Sequence, residues 1–100
     1  SRFVADFVGS SNVLPPEVTS ALGGPAQWSS LRPEALRLDA SAPRRGTVSA
    51  IRYLGAGSRV ALQVAGTELA VLVPAGQPLP VPGEGVGFAF DPAALHVMEA

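Results

Sequence analysis

Arg32, Pro33 and Glu34, within Leu31-Arg-Pro-Glu-Ala-Leu-Arg-Leu38, are the residues of this chain whose types and spacing best suit recognition. The proline pins the backbone and biases Arg32 toward an extended conformation, so an arginine and a glutamate two residues apart can each reach a different neighbour. The pair can buttress a strand entry or a contact between subunits; a small-anion site is the sharper alternative. His96 is the sole histidine, and cysteine is absent, so the scattered carboxylates have little to share a metal with. It is expected to face outward from a strand. Asp91-Pro92 reads as a turn opener in which Asp accepts a backbone hydrogen bond, not as a catalytic acid. Serines occur at Ser10-Ser11 and Ser29-Ser30, but none stands in a G-x-S-x-G elbow, and nucleophilic catalysis has no support. The lone Trp28 reads as a lid on a core, because so large a side chain gains from burial.

The composition narrows the classes further. One hundred residues with 47% hydrophobic and 15% charged content suit one packed domain. The net charge of −1 gives no electrostatic case for nucleic acid, which needs a surplus of clustered cations. All seven basic residues are arginine, and a conventional phosphate-binding loop needs a lysine to reach the β- and γ-phosphates. ATP hydrolysis by that route is excluded for this stretch. No apolar run approaches the roughly 18 residues of a membrane-spanning helix, so no direct membrane insertion is expected. The chain opens at Ser1 and reads as a piece of something longer.

The elements that must position these residues follow from periodicity. Phe3, Val4, Phe7 and Val8 fall on one face of a short helix over Arg2 to Val8 that stops at Gly9. Two turns are marginal alone, so the stripe must lie on a partner surface. Pro16-Glu-Val-Thr-Ser-Ala-Leu-Gly23 has helical grammar, with proline first, an acid in the first turn and glycine beyond the end. From Leu36 the period is two. Val60, Leu62 and Val64 alternate with Arg59, Ala61 and Gln63, and Leu69, Val71 and Val73 alternate with Glu68, Ala70 and Leu72. That predicts a hairpin turning at Ala65-Gly66-Thr67, with a third strand over Gly46 to Leu54 joined through Gly55-Ala56-Gly57. Pro74 to Gly83 is interrupted by prolines and cannot be central strand. Val86, Phe88 and Phe90 then alternate with small residues, the glycines signalling close backbone approach, and Leu95 to Met98 forms a last strand. The reading is a mostly β chain: a small OB-like Greek-key barrel of five or six short strands with a short N-terminal helix. Tyr53, Phe88, Phe90 and Trp28 do not make it a nucleic-acid binder, since the phenylalanines alternate like core residues and lysine is missing.

Three segments in order carry a family resemblance: Phe3-Val-Ala-Asp-Phe-Val-Gly-Ser-Ser-Asn-Val-Leu14, the Arg32-Pro33-Glu34 element, and Phe90-Asp-Pro-Ala-Ala-Leu-His-Val-Met98. Together they resemble the junction and accessory domain at the C-terminal end of import-type ABC transporter ATPase subunits. There a last helix reading roughly F-V-A-x-F-I/V-G-x-x-N leaves the nucleotide-binding domain, and an I/L-R-P-E element introduces the TOBE, or transport-associated OB, domain. Where those relatives carry a first strand of the form N-x-L/F-x-G-x-V, this chain has the helical segment from Pro16. The resemblance implies a linker helix over 1–14 entering from a missing nucleotide-binding domain, an irregular or short-helical connection over 15–30, and the barrel over 31–100. It further implies a non-catalytic accessory or regulatory domain that stabilises the ATPase dimer and in some relatives senses solute or a regulator. No cofactor belongs to this fragment; ATP and Mg would sit in the missing domain. The implied partners are a second copy and, through the ATPase domain, the permease subunits, at a cytoplasmic site peripheral to the inner face of the plasma membrane. Phe3, Phe7, Arg32, Pro33 and Glu34 become the interface candidates, and ferric iron, polyamines or phosphonates the solutes. A second reading is an oxyanion-binding barrel of the molybdate-binding type. Thr47 and Ser49 precede Ile51 as such a site would want, but its lysine is absent.

Overall fold

Residues 11–98 are described by the computed structural model of the chain; the stripe of Phe3, Val4, Phe7 and Val8 lies outside them. The alternating stretches form an antiparallel meander of β4 (Arg44–Tyr53), β5 (Gly57–Val64) and β6 (Thr67–Pro74). The pattern of apolar residues sets its register. Leu62 faces Leu69 and Val60 faces Val71, all four fully buried, so both inner faces meet at one height. A slip of one residue would turn all four outward.

The turn between β5 and β6 is a two-residue loop, Ala65-Gly66, with both residues at positive φ, 51° and 79°. That twist matches the strands it joins, but alanine tolerates it poorly, since a Cβ in the left-handed region costs about 1–2 kcal/mol. Ala65→Asn is therefore expected to stabilise the chain by about 1 kcal/mol, because asparagine populates this region more readily. A urea midpoint that fails to rise would contradict the turn geometry.

After the proline-rich connection, β7 (Gly85–Phe90) returns to pair with β4, and β3 (Leu36–Leu38) pairs with the far side of β7. The sheet order is β3-β7-β4-β5-β6, so a meander is followed by a strand that comes back beside its first member, the Greek-key arrangement. The edge strands β3 and β6 approach each other without pairing, leaving a five-stranded antiparallel barrel nearly closed. Phe88 and Phe90 point into it with Leu36, Val48 and the hairpin residues. The glycine just before Phe88 is required: a Cβ at Gly87 would collide with the backbone carbonyl of Asp39. The close approach expected of this strand is thus found where β7 passes the turn after β3.

A second, three-stranded sheet closes one side. It holds β1 (Asn12–Leu14), β2 (Ser29–Leu31) and β8 (His96–Val97), with β2 central. Between β1 and β2 runs α1 (Pro16–Ala21), the helix that the proline-first, glycine-last pattern predicts. Val18 and Leu22 of this segment enter the common core with Leu14 and Leu31. Thr19, fully buried, meets Ser29 by a hydroxyl–hydroxyl hydrogen bond of 2.7 Å, so two polar side chains satisfy each other inside.

Candidate functional site

Leu31 is buried at the end of β2, and the chain then turns outward into Arg32-Pro33-Glu34. Proline does here what its ring requires. Arg32 is extended, with φ −70° and ψ 142°, and Pro33 opens a single 3₁₀ turn over Pro33–Ala35. Pro33 is itself buried, and the turn packs against β6. The two charged side chains do not reach different neighbours. They turn to each other, Arg32 Nη1 standing 3.6 Å from Glu34 Oε2, and both remain more than half exposed. A solvated pair of this kind contributes at most about 1 kcal/mol, so the element's rigidity comes from the buried proline.

Beside Glu34 a groove of about 380 Å³ runs between the β4–β5 turn and the end of β6, with Leu54, Ala56, Leu72 and Pro74 among its walls. Leu54 is half exposed there, and Tyr53 next to it is largely exposed. The outer face of the strands above it carries Arg52 directly opposite Arg59, with Leu72 next in the same row. Like charges directly opposite destabilise a strand pair, and neither arginine has an ion-pair partner among the described residues.

A wider cleft of about 530 Å³ lies where the proline-rich connection crosses β3 and β7, and it includes Asp39, Arg45 and Glu84. Each of these charges already has local work. Asp39 Oδ1 accepts from the hydroxyl and the N–H of Ser41, which lowers its pKa from the ordinary carboxylate value. Arg45 donates to the carbonyl of Gly85, and Glu84 accepts from the N–H of Val81.

The remaining sequence candidates settle into structural places. His96 is exposed on β8, and among the described residues no group of three His, Asp or Glu side chains could hold a metal ion. Asp91 accepts from the N–H of Ala93 and opens a 3₁₀ turn over Pro92–Ala94, as its turn-opening role predicts. Ser49 donates to the carbonyl of Ala61, and Thr47 is exposed. Trp28 is half-buried, and its carbonyl accepts from the N–H of Met98.

Two residues that sequence reasoning passes over hold the small sheet to the barrel. Asn12, buried on β1, donates to the carbonyl of Ala70 at 3.0 Å and accepts from its N–H at 2.7 Å. Its amide thereby completes the hydrogen bonding of β6 where that strand would otherwise be a bare edge. Arg44 of β4 donates to the carbonyl of Leu22, just past α1, and stacks over Phe90 with its guanidinium carbon 5.3 Å from the ring centre. No helix of the described residues is long and apolar enough to cross a membrane.

Comparison with known proteins agrees with this architecture. The family model described as "TOBE domain" matches residues 29–98. The chain is 38% identical over 99 residues to the uncharacterized ABC transporter ATP-binding protein y4fO of Sinorhizobium fredii, covering 97% of this chain and 29% of that protein. It is 40% identical over 68 residues to the uncharacterized ABC transporter ATP-binding protein YdcT of Escherichia coli, covering 66% of this chain and 20% of that one. It thus spans less than a third of the length of either relative. From β2, where the match begins, through the barrel to β8, the chain belongs to the TOBE domain family, and it corresponds to the C-terminal region of ABC transporter ATP-binding proteins.

Proposed function

We propose that this chain is the accessory domain of an importer-type ABC ATPase subunit, itself non-catalytic, and that it helps to hold two such subunits together while their ATPase domains open and close. The observation that carries the reading is the TOBE match over residues 29–98 combined with coverage of under a third of ATP-binding relatives. By the family resemblance Phe3 and Phe7 belong to the linker from the ATPase domain, and Arg32-Pro33-Glu34, with its buried proline, is a rigid corner of the barrel available as an interface. ATP and Mg belong to the ATPase domain, and the permease subunits are met through it, at the cytoplasmic face of the membrane. Several of the barrel's charged side chains, Asp39, Arg45, Glu84 and Asp91 among them, are held in turns and strand joins, which supports an adapter more than a catalyst.

The test is direct. The purified chain is expected to hydrolyse no ATP above a buffer blank, and its mass in analytical ultracentrifugation is expected to rise with concentration over the micromolar range. Hydrolysis that survives repurification would overturn the non-catalytic assignment. Strictly monomeric sedimentation at high concentration would remove association from the barrel's own properties.

A further inference from the structure

We infer that the cleft of about 530 Å³ where the proline-rich connection crosses β3 and β7 binds a small zwitterion, with an ammonium and a carboxylate at opposite ends of a short aliphatic chain. Asp39 takes the ammonium and Arg45 the carboxylate. This goes beyond the accessory role and does not depend on it.

Three observations carry it. The first is charge. Asp39, Arg45 and Glu84 bring both signs to one cleft, and among the described residues no two of them form an ion pair. Each gives one atom to a local hydrogen bond: Asp39 Oδ1 accepts from Ser41, Arg45 Nη2 donates to the carbonyl of Gly85, and Glu84 Oε1 accepts from the N–H of Val81. Those bonds aim the groups yet leave Asp39 Oδ2 and Arg45 Nη1 and Nε without a partner among the described residues. Side chains already held lose less freedom when a ligand arrives. Ser41 also keeps Asp39 ionised, since its hydrogen bonds lower the pKa of that carboxyl. With Glu84 the three groups sum to one negative charge, which disfavours a simple anion.

The second is spacing. Arg45 pairs with Gly87 on one side of β7, and the N–H of Asp39 donates to the carbonyl of Gly87 on the other. Their backbones therefore stand two strand spacings apart, about 10 Å. Charges on adjacent carbons, as in an ordinary α-amino acid, suit that separation poorly; charges at the two ends of a chain suit it well.

The third is the wall between them. Leu38, Leu79 and Val86 line the cleft while packing against the core, so they offer a fixed apolar surface to the aliphatic chain. Gly85 lies among them with nothing inside 4 Å of where a Cβ would stand. Apolar walls with a few placed polar groups are what a small-molecule site requires.

The probe is δ-aminovalerate, titrated into the full chain and followed through the amide resonances of Leu38, Asp39 and Val86. Pentylamine, valerate and norvaline are the matched controls: the first two lack one charge each, and the third sets both charges on one end. The expected result is saturable shifts with δ-aminovalerate, at a Kd at least about tenfold below that of any control, because each charge-assisted contact adds to the other. Arg45→Gln should bring δ-aminovalerate level with pentylamine, and Asp39→Asn, which keeps an acceptor for Ser41, should bring it level with valerate. Gly85→Leu fills the cleft without touching a charged group, and Gly85 is not among the glycines at positive φ, so a side chain is tolerated there. That variant should abolish the shifts. An absence of saturable shifts in the parent chain would overturn the proposal, as would undiminished binding by Gly85→Leu. Pentylamine binding as tightly would overturn it in favour of a cation site, valerate in favour of an anion site, and norvaline would remove the end-to-end placement. None of these outcomes alters the ATPase and sedimentation results, so the two readings fall separately.

Discussion

Leu69→Ala is expected to lower the unfolding free energy by about 2–5 kcal/mol, a large share of what holds a domain of this size together. Leu69 is fully buried and faces Leu62, also fully buried, at the centre of the hairpin. Removing its isobutyl group forfeits the burial energy and leaves a hole that neighbours fill poorly, because they are held in register by the strands on both sides of β5. The change should appear as a lower urea midpoint with an unchanged slope. Glu68→Ala, one residue away and exposed, should move stability by no more than about 0.5 kcal/mol. Comparable losses at both positions would contradict the facing of β6.

The second large effect belongs to Asn12. Asn12→Ala removes both partners of Ala70 at once, and each buried backbone group left without one costs about 1–3 kcal/mol. Asn12→Asp separates the two bonds. A carboxylate still accepts from the Ala70 N–H but has no proton for the carbonyl and sets a negative charge against it. The deficit relative to the parent chain is therefore expected to be largest at neutral pH and to shrink as pH falls into the carboxylate range, where a protonated acid regains a donor. A pH-independent deficit would mean that the carbonyl had found another donor.

The contrast between these two residues marks what was legible in the sequence. Leu69 announces itself through alternation, a property of its nearest neighbours, and so did the meander, the helix from Pro16, the broken connection and the glycine beside Phe88. Asn12 could be read only as a letter in a family motif, because its partner stands 58 positions away and no periodicity links them. β2 escaped for a different reason. Ser29-Ser30-Leu31 is short and polar, yet all three residues are buried, since Thr19 satisfies one serine and β1 and β8 enclose the strand. At Arg32 and Glu34 the sequence supplied the residues and the proline geometry but not the partner: each side chain chose the other. The groove was illegible altogether, because it is built from a turn and a strand end that meet only after the barrel has rolled up.

The small sheet also dictates an order of events during synthesis. β2 is flanked by β1, made shortly before it, and by β8, made only after all five barrel strands. While the chain is being made, β1 and β2 can pair as soon as both emerge, and the meander can form behind them. The far edge of β2 stays open until His96 and Val97 leave the ribosome, because among the described residues no earlier strand takes that place. Buried Ser29 and Ser30 thus keep one flank unpaired until every barrel strand has been made, and β8 acts as a latch that completes a sheet begun by β1 and β2.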